Sequence, residues 1–491
     1  MMNLFRTKSV EQSILDTDEP DSKLRKDLTA LDLTVFGVAV VVGAGIFTLT
    51  ARVAGTMAGP AVSIAFIFAA IACALTAVCY AEFASTVPVA GSAYTFAYAT
   101  FGELIAWIIG WDLILEFALG TSVVAKGWSL YLGTVTGLES TTVDLGPVNF
   151  DWGAVLLLIV LTALLIIGTK VSSRVSAIAV AIKLGVIAVV IGVGISYFSA
   201  DNLKPFIPPS QPAGDGASGL HQTLFSLLTG GGNTVFGWYG LLAASSLVFF
   251  AFIGFDVVAT AAEETRNPQK DIPRGILGSL AIVTVLYVAV ALILTGMVSY
   301  TALSGDGANL ATAFAAHGAN WTKTIISIGA LAGLTTVVMV LFLGQTRVLF
   351  AMCRDGLLPR NLARTGSRGT PARITLIVSA VCIVLAGFVD IGALEEMVNI
   401  GTLFAFVLVA IGVVILRRTR PDLPRGFRTP LVPLIPILAV LACAWLMLNL
   451  SVATWLRFLG WMVLGIVVYM AYGVWHSRLG ERERTAAGSE K

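Results

Sequence analysis

The sequence predicts an all-α polytopic membrane protein with about twelve transmembrane helices, arranged as a 5+5 inverted repeat followed by two C-terminal helices. Three observations predict it. Hydrophobic residues make up 57% of the 491 residues and charged residues 12%, with a mean hydropathy of +0.89, a balance unsuited to a water-soluble chain. Apolar runs of the length needed to cross a bilayer, about 20 residues for a hydrocarbon core of about 30 Å, recur about twelve times. Two of those runs are broken, at Val42-Gly43-Ala44-Gly45-Ile46-Phe47 and at Phe252-Ile253-Gly254-Phe255-Asp256, and the second break carries a carboxylate. Glycine lowers helix propensity by roughly 1 kcal/mol relative to alanine, and broken spans at corresponding places in two halves of a chain point to a binding site.

The expected spans lie near 31–54, 60–86, 101–134, 152–171, 174–199, 241–264, 275–300, 321–352, 374–390, 392–416, 431–452 and 455–476. Those at 101–134 and 321–352 exceed one bilayer thickness and require tilt or extension beyond the membrane. The resulting organisation is an N-terminal segment 1–27, a first repeat 28–199, a connection 200–240, a second repeat 241–416, a loop with the last two spans 417–476, and a tail 477–491. The connection carries Lys204-Pro205-Phe206-Ile207-Pro208-Pro209 and Gly230-Gly231-Gly232-Asn233, signals of irregular structure.

Lysine and arginine set the orientation, because they accumulate in cytoplasmic loops. They precede the first span (Arg6, Lys8, Lys23, Arg25, Lys26) and follow the even-numbered ones, as in Arg266, Lys270 and Arg274 after the sixth and Arg417, Arg418 and Arg420 after the tenth. The other side holds Arg52, Lys204 and Arg457. Both termini are therefore expected in the cytoplasm, with the chain spanning the cell membrane and contacting its lipid. A net charge of +2 is too small to suggest a nucleic-acid partner, and the basic loops are read as topology signals, so none is expected. No cleavable signal peptide is expected, since polar residues come first and the first apolar run is too long for one. Cys73, Cys79, Cys353, Cys382 and Cys443 sit in spans or at their ends and support neither a disulfide framework nor a zinc site. His221, His317 and His476 add no metal-ligand spacing, so no cofactor is expected, and without an activated nucleophile among the spans no enzyme activity is expected either.

Several runs carry a family resemblance over nearly the whole chain: Tyr80-Ala81-Glu82-Phe83-Ala84 through Pro88-Val89-Ala90-Gly91-Ser92-Ala93-Tyr94, Ala262-Glu263-Glu264-Thr265-Arg266-Asn267-Pro268, Gly344-Gln345-Thr346-Arg347 and Arg354-Asp355-Gly356-Leu357-Leu358-Pro359. The sequence resembles the amino acid permeases of the amino acid/polyamine/organocation superfamily. Gly110-Trp111-Asp112-Leu113-Ile114-Leu115-Glu116 is most similar to bacterial members of the cationic amino acid transporter family. The resemblance implies the LeuT-type 5+5 fold and secondary active uptake of an L-amino acid by alternating access, with a proton as coupling ion. It also allows a small accessory membrane helix packed on the bundle.

On this reading the amides exposed at Gly43, Ala44 and Gly45 attract the substrate carboxylate, as helix N-termini attract anions. Carbonyls freed around Val40, Val41, Phe250, Ala251 and Ile253 receive its ammonium. The alternative is that these glycines serve close helix packing. Glu116 and Asp256 are the carboxylates nearest mid-span and are expected at the substrate cavity, since ionisable groups within membranes are usually functional. An internal ion pair for Glu116 and a helix cap for Asp256 are the structural alternatives. Asp112, one turn before Glu116 on the same face, carries no assignment. By resemblance Lys183 stands where sodium-coupled relatives hold the ion and is the proton-coupling group, or else it extends to the interface along its long stem. Phe250 is, by resemblance, the aromatic gate over bound substrate, or a plain core residue. Met339 is expected to face the substrate side chain, which favours a small neutral amino acid over a cationic one. Glu263, Glu264, Arg266 and Arg347 are candidates for an inner gate or for a static surface network. A cationic amino acid transporter, an exchanger without net proton coupling, and a passive channel remain as alternatives.

Overall fold

The computed structural model describes residues 6–7, 27–87, 92–138, 140–146, 148–167, 173–214, 219–231, 234–305, 308–363 and 371–481. It is helical throughout, with two small two-stranded sheets outside the spans. Twelve spans follow in chain order. The first is broken, Ala30–Val41 continuing after a gap as Gly45–Leu49, Thr50–Val53 and Ala54–Ala58. The next four are Val62–Thr86, Glu103–Thr136, Trp152–Ile167 and Ser173–Ser196. The sixth is also broken, into Gly237–Val248, Phe249–Phe252 and Phe255–Glu264. The rest are Pro268–Met297, Asn320–Arg354, Ala372–Phe388, Ile391–Thr419, Leu434–Leu448, and Val452–Val468 extended to His476.

Helices stand at every expected span and in the expected order; among the described residues eight are long and apolar enough to cross a membrane, while Ala30–Val41, Trp152–Ile167, Ala372–Phe388 and Leu434–Leu448 are shorter apolar helices. The seventh begins at Pro268 rather than near 275, because its first turn, Pro268-Gln269-Lys270-Asp271, is polar and hydropathy does not register it as helix; proline suits that opening position. A helix at Ser92–Thr100, between the second and third spans, is too short to cross a bilayer and was not expected. Nor was the hairpin pairing Thr142–Asp144 with Asn149–Asp151 ahead of the fourth span.

Spans 1, 2, 6 and 7 pack on one another, and spans 3, 4, 8 and 9 form a second set, with span 5 against 1, 7 and 8 and span 10 against 2, 3 and 6. Spans 11 and 12 lie outside these and touch span 10. Spans 1 and 7 approach closely because glycines face larger side chains: a Cβ on Gly275 would come 2.6 Å from that of Leu33, and one on Gly37 would come 2.5 Å from Ser279 Oγ. The outward faces of spans 5, 9, 11 and 12 are rich in exposed aliphatic residues such as Ile178, Val384, Leu441 and Val463, as lipid contact demands.

The two breaks pack against each other. Gly254 takes φ +116° and presses on Val40, where a Cβ would come 2.8 Å from Cγ1; a Cβ on Gly45 would come 2.3 Å from Ala251 Cα. The residue before each break thus meets the residue in or after the other, the antiparallel crossing that an inverted repeat produces. The Tyr287 hydroxyl on span 7 lies 2.7 Å from the Val41 carbonyl oxygen and 2.9 Å from that of Ala251, so its single proton is shared between carbonyls freed at both breaks.

The basic end of the bundle, which holds Arg6 and the last described residues, is closed by backbone and by buried charge. Leu28 N–H donates to the Glu264 carbonyl and Arg266 N–H donates to the Leu28 carbonyl, both at 3.0 Å, so the starts of span 1 and the end of span 6 are bridged. Glu82 accepts from Arg417 at 2.8 and 2.7 Å and from the Thr429 amide at 2.7 Å. Buried Glu103 accepts from Arg6 at 3.0 Å and from Tyr98 and Tyr469 at 2.9 Å, and Ser477 also donates to it.

Two substitutions test the junction. Gly45→Ala is expected to force the breaks apart and lower the melting temperature in detergent by the equivalent of about 1–3 kcal/mol, the usual cost of overpacking, whereas Gly185→Ala, which has open space around it, does not lower it. Tyr287→Phe leaves buried carbonyls without a donor and is expected to cost about 1–3 kcal/mol, read in the same melting experiment.

Candidate functional site

A helix that stops inside a bundle leaves carbonyls without partners, and one that starts there leaves amides. The first break therefore presents the amides of the turn opening at Gly45, while Val42 is extended with ψ 92°. The second presents the amides opening at Phe255, after Ile253 with ψ 135°. Both breaks line one cavity of about 30 Å³, room for about two water molecules. A ligand the size of an amino acid therefore requires its walls to move.

Val40, Val41, Gly43, Ala44 and Gly45 line it from span 1, and Phe250, Ile253, Gly254 and Asp256 from span 6. Span 3 adds Glu116, Phe117, Gly120 and Val124; spans 8 and 10 add Val337, Leu341 and Val398. Glu116 and Asp256 are the ionisable residues of the lining, and it contains no cation. Asp256 Oδ1 is buried without a hydrogen-bond partner. The wall away from the breaks, Val124, Val337, Leu341 and Val398, is aliphatic.

Three expected site residues lie outside this lining. Ala251 is buried behind the second break, where its carbonyl accepts from Tyr287. Met339 is partly buried and packs on the core; Val337 and Leu341, two residues to either side, reach the cavity instead. Helical geometry explains this, since residues two apart point to different faces. Lys183 is buried and donates to the Ala39 carbonyl at 2.6 Å, and it fills the space over Gly333, whose Cβ would come 2.9 Å from Lys183 Cγ. Spans 1, 5 and 8 thereby meet at one ammonium group. Phe250 lines the cavity and is buried.

The inner-gate candidates are arranged differently from the expectation. Among the described residues no ion pair joins Glu264 or Arg266 to Arg347, which is exposed; the Glu264 contact is made by its carbonyl. The Glu263 side chain lies outside the described residues.

A second cavity, of about 800 Å³, opens toward the end opposite the basic one. Its walls include Thr48 and Arg52 of span 1, Lys126 of span 3, Asp151 of the hairpin, Lys323 of span 8 and Glu395 of span 10. Arg52 pairs with buried Glu395, and Lys126 lies 3.7 Å from Asp151. Thr48 donates to the Ala44 carbonyl at 2.7 Å, so one helical turn separates the large cavity from the small one. Sequence reasoning named Arg52 only as an isolated charge. Its partner lies 343 residues away, and no local signal joins them. Lys126 and Lys323 were absorbed into the long spans 3 and 8.

The arrangement suits a small zwitterion held by backbone at two breaks, with access from one end and an aliphatic recess for its side chain. It contains no nucleophile set for bond chemistry. The chain is 43% identical to the branched-chain amino acid permease BcaP of Bacillus subtilis (strain 168), covering 98% of this chain and 99% of that one. It is 40% identical to the methylthioribose transporter of the same organism, over 98% of this chain and 100% of that one. It is 36% identical to the vacuolar cationic amino acid transporter 4 of Arabidopsis thaliana, over 86% of this chain and 68% of that one. The profile described as amino acid permease matches residues 28–471, nearly every span, and the chain belongs to the amino acid permease family.

Proposed function

We propose that this permease takes up a neutral aliphatic L-amino acid together with a proton, by alternating access across the cell membrane, with both termini in the cytoplasm. The observation that carries the reading is the cavity between the two breaks: amides and carbonyls for the α-carboxylate and ammonium, and an aliphatic wall at Val124, Val337, Leu341 and Val398. A charged side chain would be buried there without an opposite partner except Glu116 or Asp256, and burying unpaired charge is costly. The branched-chain permease among the relatives supports the same substrate class. The closed basic end and the large cavity at the other end support an outward-facing approach to a shut inner site.

Proton coupling is supported by Lys183. Its ammonium caps the carbonyl of Ala39, the residue before Val40 of the cavity lining, where span 1 must bend for access to alternate. Loss of its proton turns a charge-assisted hydrogen bond into a weaker neutral one and ties protonation to the position of span 1.

A cationic substrate is the second reading, favoured because both ionisable lining residues are carboxylates. Uptake of labelled alanine, leucine and arginine into proteoliposomes, with an imposed inward proton gradient and no sodium, separates the two. Accumulation of alanine and leucine that collapses with a protonophore is the expected result. Accumulation of arginine alone moves the substrate to the cationic class, and exchange without net accumulation removes the coupling.

Two variants locate the roles. Lys183→Ala is expected to retain amino acid exchange while losing concentrative uptake; accumulation at the wild-type level would show that coupling lies elsewhere. Glu116→Gln is expected to weaken substrate affinity by about tenfold, or ~1.4 kcal/mol, measured by thermal-shift titration, and wild-type affinity would remove Glu116 from the pocket.

A further inference from the structure

Asp112 is a buried carboxylate outside the proposed site and, unlike Glu82, Glu103 and Glu395, it has no cation beside it. It lies on span 3 one turn toward the basic end from Glu116, roughly 14 Å along the helix from Glu103. Its side chain is fully buried, and neither carboxylate oxygen has a hydrogen-bond partner. Span 10 presses on it through Gly401, where a Cβ would come 2.7 Å from Asp112 Oδ1, so glycine at 401 lets the two helices close over the carboxylate.

The charged and titratable groups of every element packed against span 3 leave Asp112 without a counter-ion. Glu116 on its own helix and Asp256 on span 6 are acidic. On span 10, Glu395 pairs with Arg52, Glu396 accepts from Ser451 and Thr454, Arg417 pairs with Glu82, and Arg418 is exposed. Tyr94 donates to Asp355, while Tyr98 and Tyr469 donate to Glu103. Arg347 and Arg354 on span 8, Arg373 on span 9 and Arg457 on span 12 are exposed, and Lys323 faces the outer cavity. Span 4 has no charged residue.

We propose that Asp112 is a proton-binding site of the transport cycle, loaded when spans 3 and 10 close on it and unloaded when they part. A carboxylate sealed from water without a donor or a cation is compatible with the closed packing only as the neutral acid. Closing therefore takes one proton from water onto a carboxylate oxygen, and opening returns it to water; only that O–H bond forms and breaks. The closed state then binds one more proton than the open one, and alkaline solution disfavours closure. This inference rests on the transport reading but not on which amino acid is carried or on Lys183.

Asp112→Asn keeps the shape and removes the titration, and Asp112→Ser is a smaller neutral replacement should the first fail to fold. Each is compared with wild type in counterflow of labelled alanine at equal pH on both faces, and in melting of the purified protein as pH rises. Wild-type exchange is expected to carry an added fall toward alkaline pH, of up to about tenfold per unit for one proton, which the variants lack. Its melting temperature is expected to fall with pH relative to theirs, because the folded state holds a proton that the unfolded chain releases. Parallel profiles in wild type and variants overturn the proposal, as do folded variants that fail to exchange even in acid. If wild type exchanges no amino acid, the transport reading fails and the melting profiles alone decide on Asp112.

Discussion

Every half-helix that ends inside this bundle leaves backbone groups that water cannot reach, and the rest of the structure is organised around satisfying them. Four spans send a side chain for that purpose. Lys183 of span 5 reaches the Ala39 carbonyl, Tyr287 of span 7 those of Val41 and Ala251, Tyr131 of span 3 that of Phe47, and Asn399 of span 10 that of Ser246. At the second break the amides are met by protein as well, since the Asp256 carboxylate accepts from the backbone of Gly254, Asp256 and Val257 and so caps the half-helix that follows. At the first break Gly43, Ala44 and Gly45 line the cavity, where the start of a half-helix attracts an anion.

This arrangement also links the binding site to motion. Each capping donor comes from a different span, so tilting span 1 or span 6 changes several hydrogen bonds together. With free space for about two waters, the site is too small for an amino acid in its present form, and loading it must move the walls. The end that stays shut is held by a backbone bridge between Leu28 and the segment around Thr265 and by Arg417 on Glu82, contacts between the start of span 1, the end of span 6, span 2 and span 10. These are the elements that alternating access must separate.

How much of this was legible in the sequence follows from the range of each signal. Spans are local, so hydropathy located all twelve, and Gly45 and Gly254 stand out because a glycine within an apolar run is locally anomalous. The family resemblance, itself a string of local motifs, added the expectation for Lys183 and Phe250. What depends on pairing across the fold was not legible. Tyr287, Tyr131 and Asn399 look like ordinary polar residues of a span until the carbonyls they cap are in place. Arg52 and Glu395 meet only after the chain has folded. Met339 shows the limit of counting along a helix: an offset of two residues exchanges the cavity wall for the outer packing, and the aliphatic character survived because Val337 and Leu341 are aliphatic as well.

The buried carboxylates divide into two kinds by their neighbours. Glu82, Glu103 and Glu395 each have an arginine, and Glu82 and Glu103 have further donors besides. All three sit near the ends of the bundle, where removing one partner would leave a buried charge, so they hold elements in register. Glu116, Asp256 and Asp112 lie nearer the middle, with no cation paired to them among the described residues. Glu116 accepts from Thr402 and Asp256 from backbone amides at the second break, but none of the three meets a cation, and Asp112 and Asp256 have oxygens with no donor at all. A carboxylate of the first kind stabilises one conformation. One of the second kind is tolerated only if its unmet demand is answered at another stage of the cycle, by a substrate ammonium, by a proton or by water. On the proposed cycle, the concentration of the second kind around the breaks marks the part of the bundle where charge arrives and leaves.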